Sequence, residues 1–217
     1  MKVLVVGANG QIGKHLVSMI QASENLEAKA MIRKPEQASF FENVGAETVV
    51  VDLEDDTTPI LKAVKGVDAV VFTAGSGPHT GKDKTLLIDL DGAVKTIKAT
   101  EIANVKRFIM ISSFDTTRKA IQAASSSFAP YVVAKHYADE KLRDTNLDYT
   151  IIHPGRLTND KGIGKVTAAS TVERDTIPRE DVASVILACL ENEATIGKEF
   201  QVVTGTTKIK EAIESLS

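Results

Sequence analysis

Residues 1–13, MKVLVVGANGQIG, decide the reading of the whole chain. After Lys2 the apolar run 2–6 is short and unbroken, as in a strand covered on both faces. From Ile12 onward Ile12, Leu16, Met19 and Ile20 recur at i, i+4, i+7 and i+8, which is one stripe of a helix. Gly7, Gly10 and Gly13 fall between the two in a GxxGxxG spacing. Strand, glycine turn and helix is the context in which such glycines hold a dinucleotide. Gly7 reverses the chain, Gly10 lets backbone approach a pyrophosphate, and Gly13 lets the helix pack close to the sheet. The phosphates would lie at the helix N-terminus, where free N–H groups and the helix dipole favour an anion. Asn9, Gln11 and Ile12 complete the turn and are expected beside the same ligand. The competing reading is a tight turn that binds nothing.

With 217 residues and 43% hydrophobic content the chain can bury one core, so a single domain is expected, with a short substrate-site portion over 155–217. A net charge of −3 supplies no basic field for nucleic acid or an anionic membrane. Residues 1–10 read as a strand rather than a signal peptide, and no stretch approaches the ~20 apolar residues of a membrane span. A cytoplasmic protein is expected, without nucleic-acid or membrane partners, as a monomer or homodimer. Cys189, within VASVILACL, reads as core packing.

Apolar, β-rich runs recur at 2–6, 28–32, 48–51, 69–72, 107–111, 149–152 and 200–203, with helical segments between them, most clearly 84–102 and 130–143. In the first of these helices Leu86, Leu90, Ala93, Val94 and Ile97 are expected on one side. Alternating β and α elements imply an α/β, doubly wound Rossmann domain with about seven parallel strands in the order 3-2-1-4-5-6-7. The polar stretches 75–83, 114–129 and 155–176 are expected as loops at the C-terminal edge of the sheet, where ligands of such folds bind.

The second strand ends in Arg33-Lys34, where a site selecting NAD would carry a carboxylate for the ribose 2′-OH. An arginine fork suits a 2′-phosphate, so NADP is favoured over NAD. Asp52-Leu53 past the third strand is placed for the adenine edge, and Thr73-Ala74-Gly75 past the fourth for the adenosine and pyrophosphate. Tyr131 and Lys135 share one helix face, and Ser112-Ser113 end the preceding strand. A nearby ammonium and an oxidised nicotinamide would together favour the phenolate of a tyrosine. Tyr131 could then exchange a proton with a carbonyl oxygen to which Ser113 hydrogen-bonds, while Lys135 also holds the nicotinamide ribose. The competing reading is a core tyrosine and a surface lysine.

GANGQIG, Arg33, Asp52-Leu53, VFTAG (71–75), ISS (111–113), YVVAK (131–135) and HPGRL (153–157) together resemble the short-chain dehydrogenase/reductase superfamily, in its atypical branch, over nearly the whole chain. The resemblance implies that Ser113, Tyr131 and Lys135 are catalytic and that Pro154-Gly155 lies by the nicotinamide. Extended members carry an active-site asparagine where IDLDGA places Asp89, and an ionised carboxylate cannot donate as an amide does. Two functions follow as expectations: an NADP-dependent oxidoreductase or epimerase-like enzyme acting on a small molecule, or an NADP(H)-binding sensor without turnover. A flavin reductase would need an apolar platform, to which only Phe114 and Phe128 offer themselves. His153 reads as packed, His79 as a loop residue, His15 and His136 as helical, and Asp115 as a turn former. No metal-site spacing is evident.

Overall fold

The computed structural model describes residues 1–77 and 80–216, so His79 lies outside the described residues. Strands β1 (Lys2–Val6), β2 (Glu27–Ile32), β3 (Glu47–Val50), β4 (Ala69–Phe72), β5 (Arg107–Ile111) and β6 (Asp148–Pro154) form the first part of the sheet. They are followed by β7 (Arg156–Thr158), β8 (Lys165–Ala169), β9 (Thr176–Pro178), β10 (Lys198–Thr204) and β11 (Thr207–Lys208). The main sheet runs β3-β2-β1-β4-β5-β6-β10 with every neighbour parallel, which is the order expected from the sequence with β10 as its seventh strand.

The strands alternate their side chains between two helical layers. Val3 and Val5 of β1, Val71 of β4 and Ile109 of β5 meet α1 (Gln11–Gln21) and the later helices α8 (Arg179–Leu190) and α9 (Ile209–Glu214). Leu4, Val6, Val70, Phe72, Phe108 and Met110 face the other way, against α3 (Thr57–Val64), α5 (Ala93–Ile102) and α7 (Ala129–Arg143). Both faces are therefore buried, which is why these strands read as continuous apolar runs. Each large aliphatic side chain so buried contributes about 1.5–3 kcal/mol. Cys189 of α8 is part of the first layer, and burial pushes its thiol up to about 12.

Four expectations need correction. The sheet has nine strands, because β8 pairs antiparallel with β10 and β11 with β8. The stretch 155–176 is thus not one loop: it holds β7, which pairs with β9 in a separate ribbon, and β8. Likewise 114–129 contains the short helix α6 (Arg118–Ala123), and α2 (Ala38–Asn43) follows β2. The helix expected at 84–102 begins as α4 (Lys82–Lys84), passes through a π-wound stretch (Thr85–Gly92), and only then becomes α5. Wider winding shifts the phase of the apolar stripe. Leu86 and Leu87 are consequently 51% and 40% exposed, while Asp89 is fully buried.

The glycine turn fixes how closely α1 lies on the sheet. Gly7 has φ +82°, and a Cβ there would stand 2.6 Å from the backbone of Ala74. A Cβ on Gly13 would stand 2.5 Å from the Ala8 carbonyl oxygen and 2.6 Å from that of Gly7. Both obstacles are backbone, so neither yields cheaply. Gly13→Ala is expected to cost about 1–3 kcal/mol, which lowers Tm by roughly 2–4 °C per kcal/mol in a chain of this size. Gly10→Ala, where the nearest atom is the Gly7 carbonyl oxygen at 3.1 Å, is expected to cost less. Thermal unfolding of the two variants checks this, and equal losses would contradict the packing role of Gly13.

Candidate active site

The C-terminal ends of β1, β4, β5 and β6 bring the predicted residues to one edge. After Val6 the turn closes with the Gly10 N–H donating to the Gly7 carbonyl at 2.9 Å, and α1 starts with Gly10 as its N-cap. No side chain caps that end. Gly10 and Gln11 are exposed and Asn9 is half-buried, whereas Ile12 points into the core. The turn therefore presents backbone N–H groups and no obstructing side chain outward, a fit for the pyrophosphate of a dinucleotide. Thr73 donates to the Val6 carbonyl through its N–H at 2.9 Å and its hydroxyl at 3.0 Å, which seats Ala74 under Gly7.

At the end of β2 the Gln37 side-chain oxygen accepts from the N–H groups of Arg33 and Lys34 at 3.0 and 3.1 Å. The backbone is pinned while both cationic side chains remain exposed. Asp52 behaves as a turn former, accepting from the Glu54 N–H at 3.0 Å, and Leu53 is buried with its side chain against Gly92. Any adenine contact there would fall to backbone and to the exposed rim of Asp52. Gly155 donates its N–H to the Val202 carbonyl, and the place of its missing Cβ is filled by the Asp175 carbonyl, so Pro154-Gly155 is tied to the segment before β9.

Tyr131 and Lys135 lie on one face of α7 as expected. The Lys135 ammonium is 5.9 Å from the centre of the Tyr131 ring and 5.8 Å from that of Phe72. It donates to the Ile111 carbonyl at 3.2 Å and pairs with Asp89 Oδ1 at 3.6 Å. Lys135 is 3% exposed and Asp89 fully buried. The other Asp89 oxygen accepts from the Ser76 N–H at 2.9 Å, which fixes the loop after β4. Burial works against the Lys135 charge, but Tyr131, Asp89 and Asp139 outweigh it and hold Lys135 above its ordinary value. For Tyr131 burial wins: it raises the hydroxyl above its usual range, with Lys135 pulling down and Asp89 and Asp139 pushing up. Desolvation of the phenolate thus exceeds the attraction of the Lys135 ammonium by itself.

Two further residues, Asp139 and Glu199, are not singled out by the sequence. Asp139, one turn beyond Lys135 and fully buried, accepts from the Ser112 hydroxyl at 2.6 Å and the Thr116 hydroxyl at 2.9 Å. Its Oδ1 has no partner among the described residues, and burial raises its pKa. The i, i+4 spacing of two charged residues among Ala134 and Ala138 was the available signal. Glu199 on β10 accepts from His153 Nε2 at 2.7 Å and from both Nε and Nη2 of Arg143, at 2.9 and 2.6 Å. Burial alone would raise Glu199, but His153 and Arg143 prevail and hold its carboxyl at about 2. His153 is packed, as read from sequence, yet both ring nitrogens are engaged, Nδ1 with the Ser113 carbonyl. Asp115 accepts from the Thr117 N–H in a turn, His136 Nδ1 lies 2.7 Å from the Thr116 carbonyl, and His15 is exposed on α1. A cavity of about 590 Å³ flanks the glycine turn, reaching from Gln11 and Lys14 to Phe40, Asn159 and Arg179.

The family model described as NAD(P)H-binding matches residues 7–193. The chain belongs to that family. A Bacillus subtilis protein named as a sugar epimerase, itself uncharacterised, is 48% identical over 216 residues, covering 100% of both chains. The structure described as an NAD-dependent epimerase/dehydratase from Bacillus halodurans superposes with a TM-score of 0.93 at 44% identity, again over 100% of both chains. That of the oxidoreductase ylbE from Lactococcus lactis gives 0.90 at 35% identity, over 100% of this chain and 96% of that one. The atypical short-chain dehydrogenase/reductase resemblance thus holds, within an oxidoreductase and epimerase-like family. Among the described residues no helix is long and apolar enough to cross a membrane.

The lowered carboxyl of Glu199 fixes the sign of one pH effect. The stability it lends is fully present above the ordinary carboxylate value of 4.5 and is lost as pH falls toward about 2. Thermal denaturation of wild type and Glu199→Gln is expected to show a gap at about pH 5 that closes on approach to about pH 2. A gap independent of pH would contradict the ion pairs of Glu199.

Proposed function

We propose that the protein is an NADP(H)-dependent oxidoreductase that reduces a small carbonyl compound, with Tyr131 as the acid. The observation that carries this reading is the convergence of Ser113, Tyr131 and Lys135 at the sheet edge that also bears the glycine turn. The reduced nicotinamide, when bound, supplies the hydride. Tyr131, kept protonated by burial, gives its hydroxyl proton to the carbonyl oxygen. Ser113 donates a hydrogen bond to the same oxygen and orients it. The Lys135 ammonium, anchored by Ile111 and Asp89, stabilises the phenolate left behind. Positioned proton transfer of this kind is worth ~10²- to 10⁴-fold. The exposed Arg33 and Lys34, with no carboxylate at the end of β2, favour the 2′-phosphate of NADP over the free hydroxyl of NAD.

One observation favours the second reading, an NADP(H)-binding sensor without turnover. Asp89 stands where an amide would relay a proton, and its carboxylate instead neutralises Lys135. An epimerase, as the Bacillus subtilis relative is named, would draw on the same tyrosine.

Two variants test the proposal. Tyr131→Phe is expected to bind NADPH as wild type does and to lose ~10²- to 10⁴-fold in the reduction of any carbonyl or quinone that wild type turns over. Arg33→Ala is expected to weaken NADPH by about tenfold or more, the loss of a charge-assisted hydrogen bond, and to leave NADH unchanged. Unaltered turnover in the first, or equal NADPH and NADH affinities in wild type, would overturn the respective assignment.

A further inference from the structure

We propose that the pair Glu199–His153 is a positioning device for Ser113, in which His153 works as an imidazolium that grips the Ser113 carbonyl. The argument is one of donors and acceptors. His153 Nδ1 faces the Ser113 carbonyl oxygen at 2.5 Å, and Nε2 faces Glu199 Oε1 at 2.7 Å. A carbonyl and an ionised carboxylate only accept, whereas a neutral imidazole has a single N–H. Both bonds exist together only when the ring carries two protons.

The surroundings supply the charge that such a cation needs. Glu199 of β10 is its direct partner, and Asp139 of α7 also attracts it. Arg143, at the end of α7, competes for Glu199 with two hydrogen bonds and is itself shared with Glu140. Together these acids overcome burial and hold His153 above its ordinary value. The grip is part of a larger hold on this segment. Gln201, two residues along β10, donates to the Phe114 carbonyl at 2.9 Å and accepts from the Val172 N–H at 3.0 Å. The Ser112 hydroxyl is turned inward onto Asp139. Two consecutive carbonyls, of Ser113 and Phe114, and the Ser112 hydroxyl are thereby fixed.

Deprotonation of His153 forces a choice between its two bonds. The one to the Glu199 carboxylate is charge-assisted and stronger, so the neutral ring keeps it and releases Ser113. Below its raised midpoint His153 holds Ser113, and above that midpoint it does not. The catalytic consequence rests on the proposed role of Ser113, but the hold itself does not.

The test is nitrogen-15 and carbon-13 NMR of the full chain. The four histidines are resolved by their ring nitrogens, with His153 assigned through His153→Gln. The expected result is a His153 ring that carries both protons at low pH and loses one with a midpoint above the ordinary value of about 6.5. The Ser113 carbonyl carbon should shift with the same midpoint. In Glu199→Gln both midpoints should fall together toward the ordinary value. A His153 midpoint at or below the ordinary value in wild type, or a Ser113 carbonyl insensitive to the His153 titration, would overturn the proposal, and the wild-type spectra suffice even if the variant fails to fold. NADPH titrated into the same samples separates the two readings. Absence of binding there contradicts the proposed function and leaves the His153 result standing.

Discussion

An ammonium in a protein interior persists only where its partners are built around it, and Lys135 shows what that demands. Its charge lies between the end of β5, through Ile111, and the π-wound stretch, through Asp89. Asp89 in turn pins the loop after β4 through Ser76, and that loop supports Gly7 from below. Removing one member of a buried pair leaves an uncompensated charge, worth about 3–5 kcal/mol. One buried pair therefore couples the loop after β4 to the helix that carries Tyr131. The π-winding that displaces Leu86 and Leu87 outward accompanies the burial of Asp89 at that spot.

The polar interior extends beyond this pair. Asp139, Ser112, His153 and Glu199 continue it under the end of β5 and across β6 to β10. Strand β10 belongs to the later part of the chain, yet through Glu199 and Gln201 it fixes the residues that follow β5. The antiparallel strands β8 and β11 cover the outer side of β10 and keep it from being a bare edge.

Seven parallel strands and their order were legible because each is a continuous apolar run between helical stripes. β8 was not, since KVTAA is short and half-exposed and carries no strong strand signal, and β11 has only two residues. The glycine turn was legible from its spacing and its strand–helix context, and spacing put Tyr131 and Lys135 on one helix face, while only the family resemblance gave that pair a role. Asp139 offered only its i, i+4 spacing from Lys135, and Glu199 offered nothing, because no local feature marks a carboxylate as bonded to a residue some tens of positions away. Likewise the sequence names the ammonium near Tyr131 but not the burial that opposes it. The wider π turn breaks the helical period on which the stripe at 84–102 relied.

The account joins cofactor binding at the glycine turn to proton donation by Tyr131 at one edge of the sheet. A crystal structure with NADP bound tests that joint claim most directly. The account predicts the pyrophosphate on the N-terminus of α1 and nicotinamide C4 within about 5 Å of the Tyr131 hydroxyl, with Ser113 beside both. A nicotinamide lodged away from Tyr131, or a Tyr131 hydroxyl turned from the ring, would contradict it.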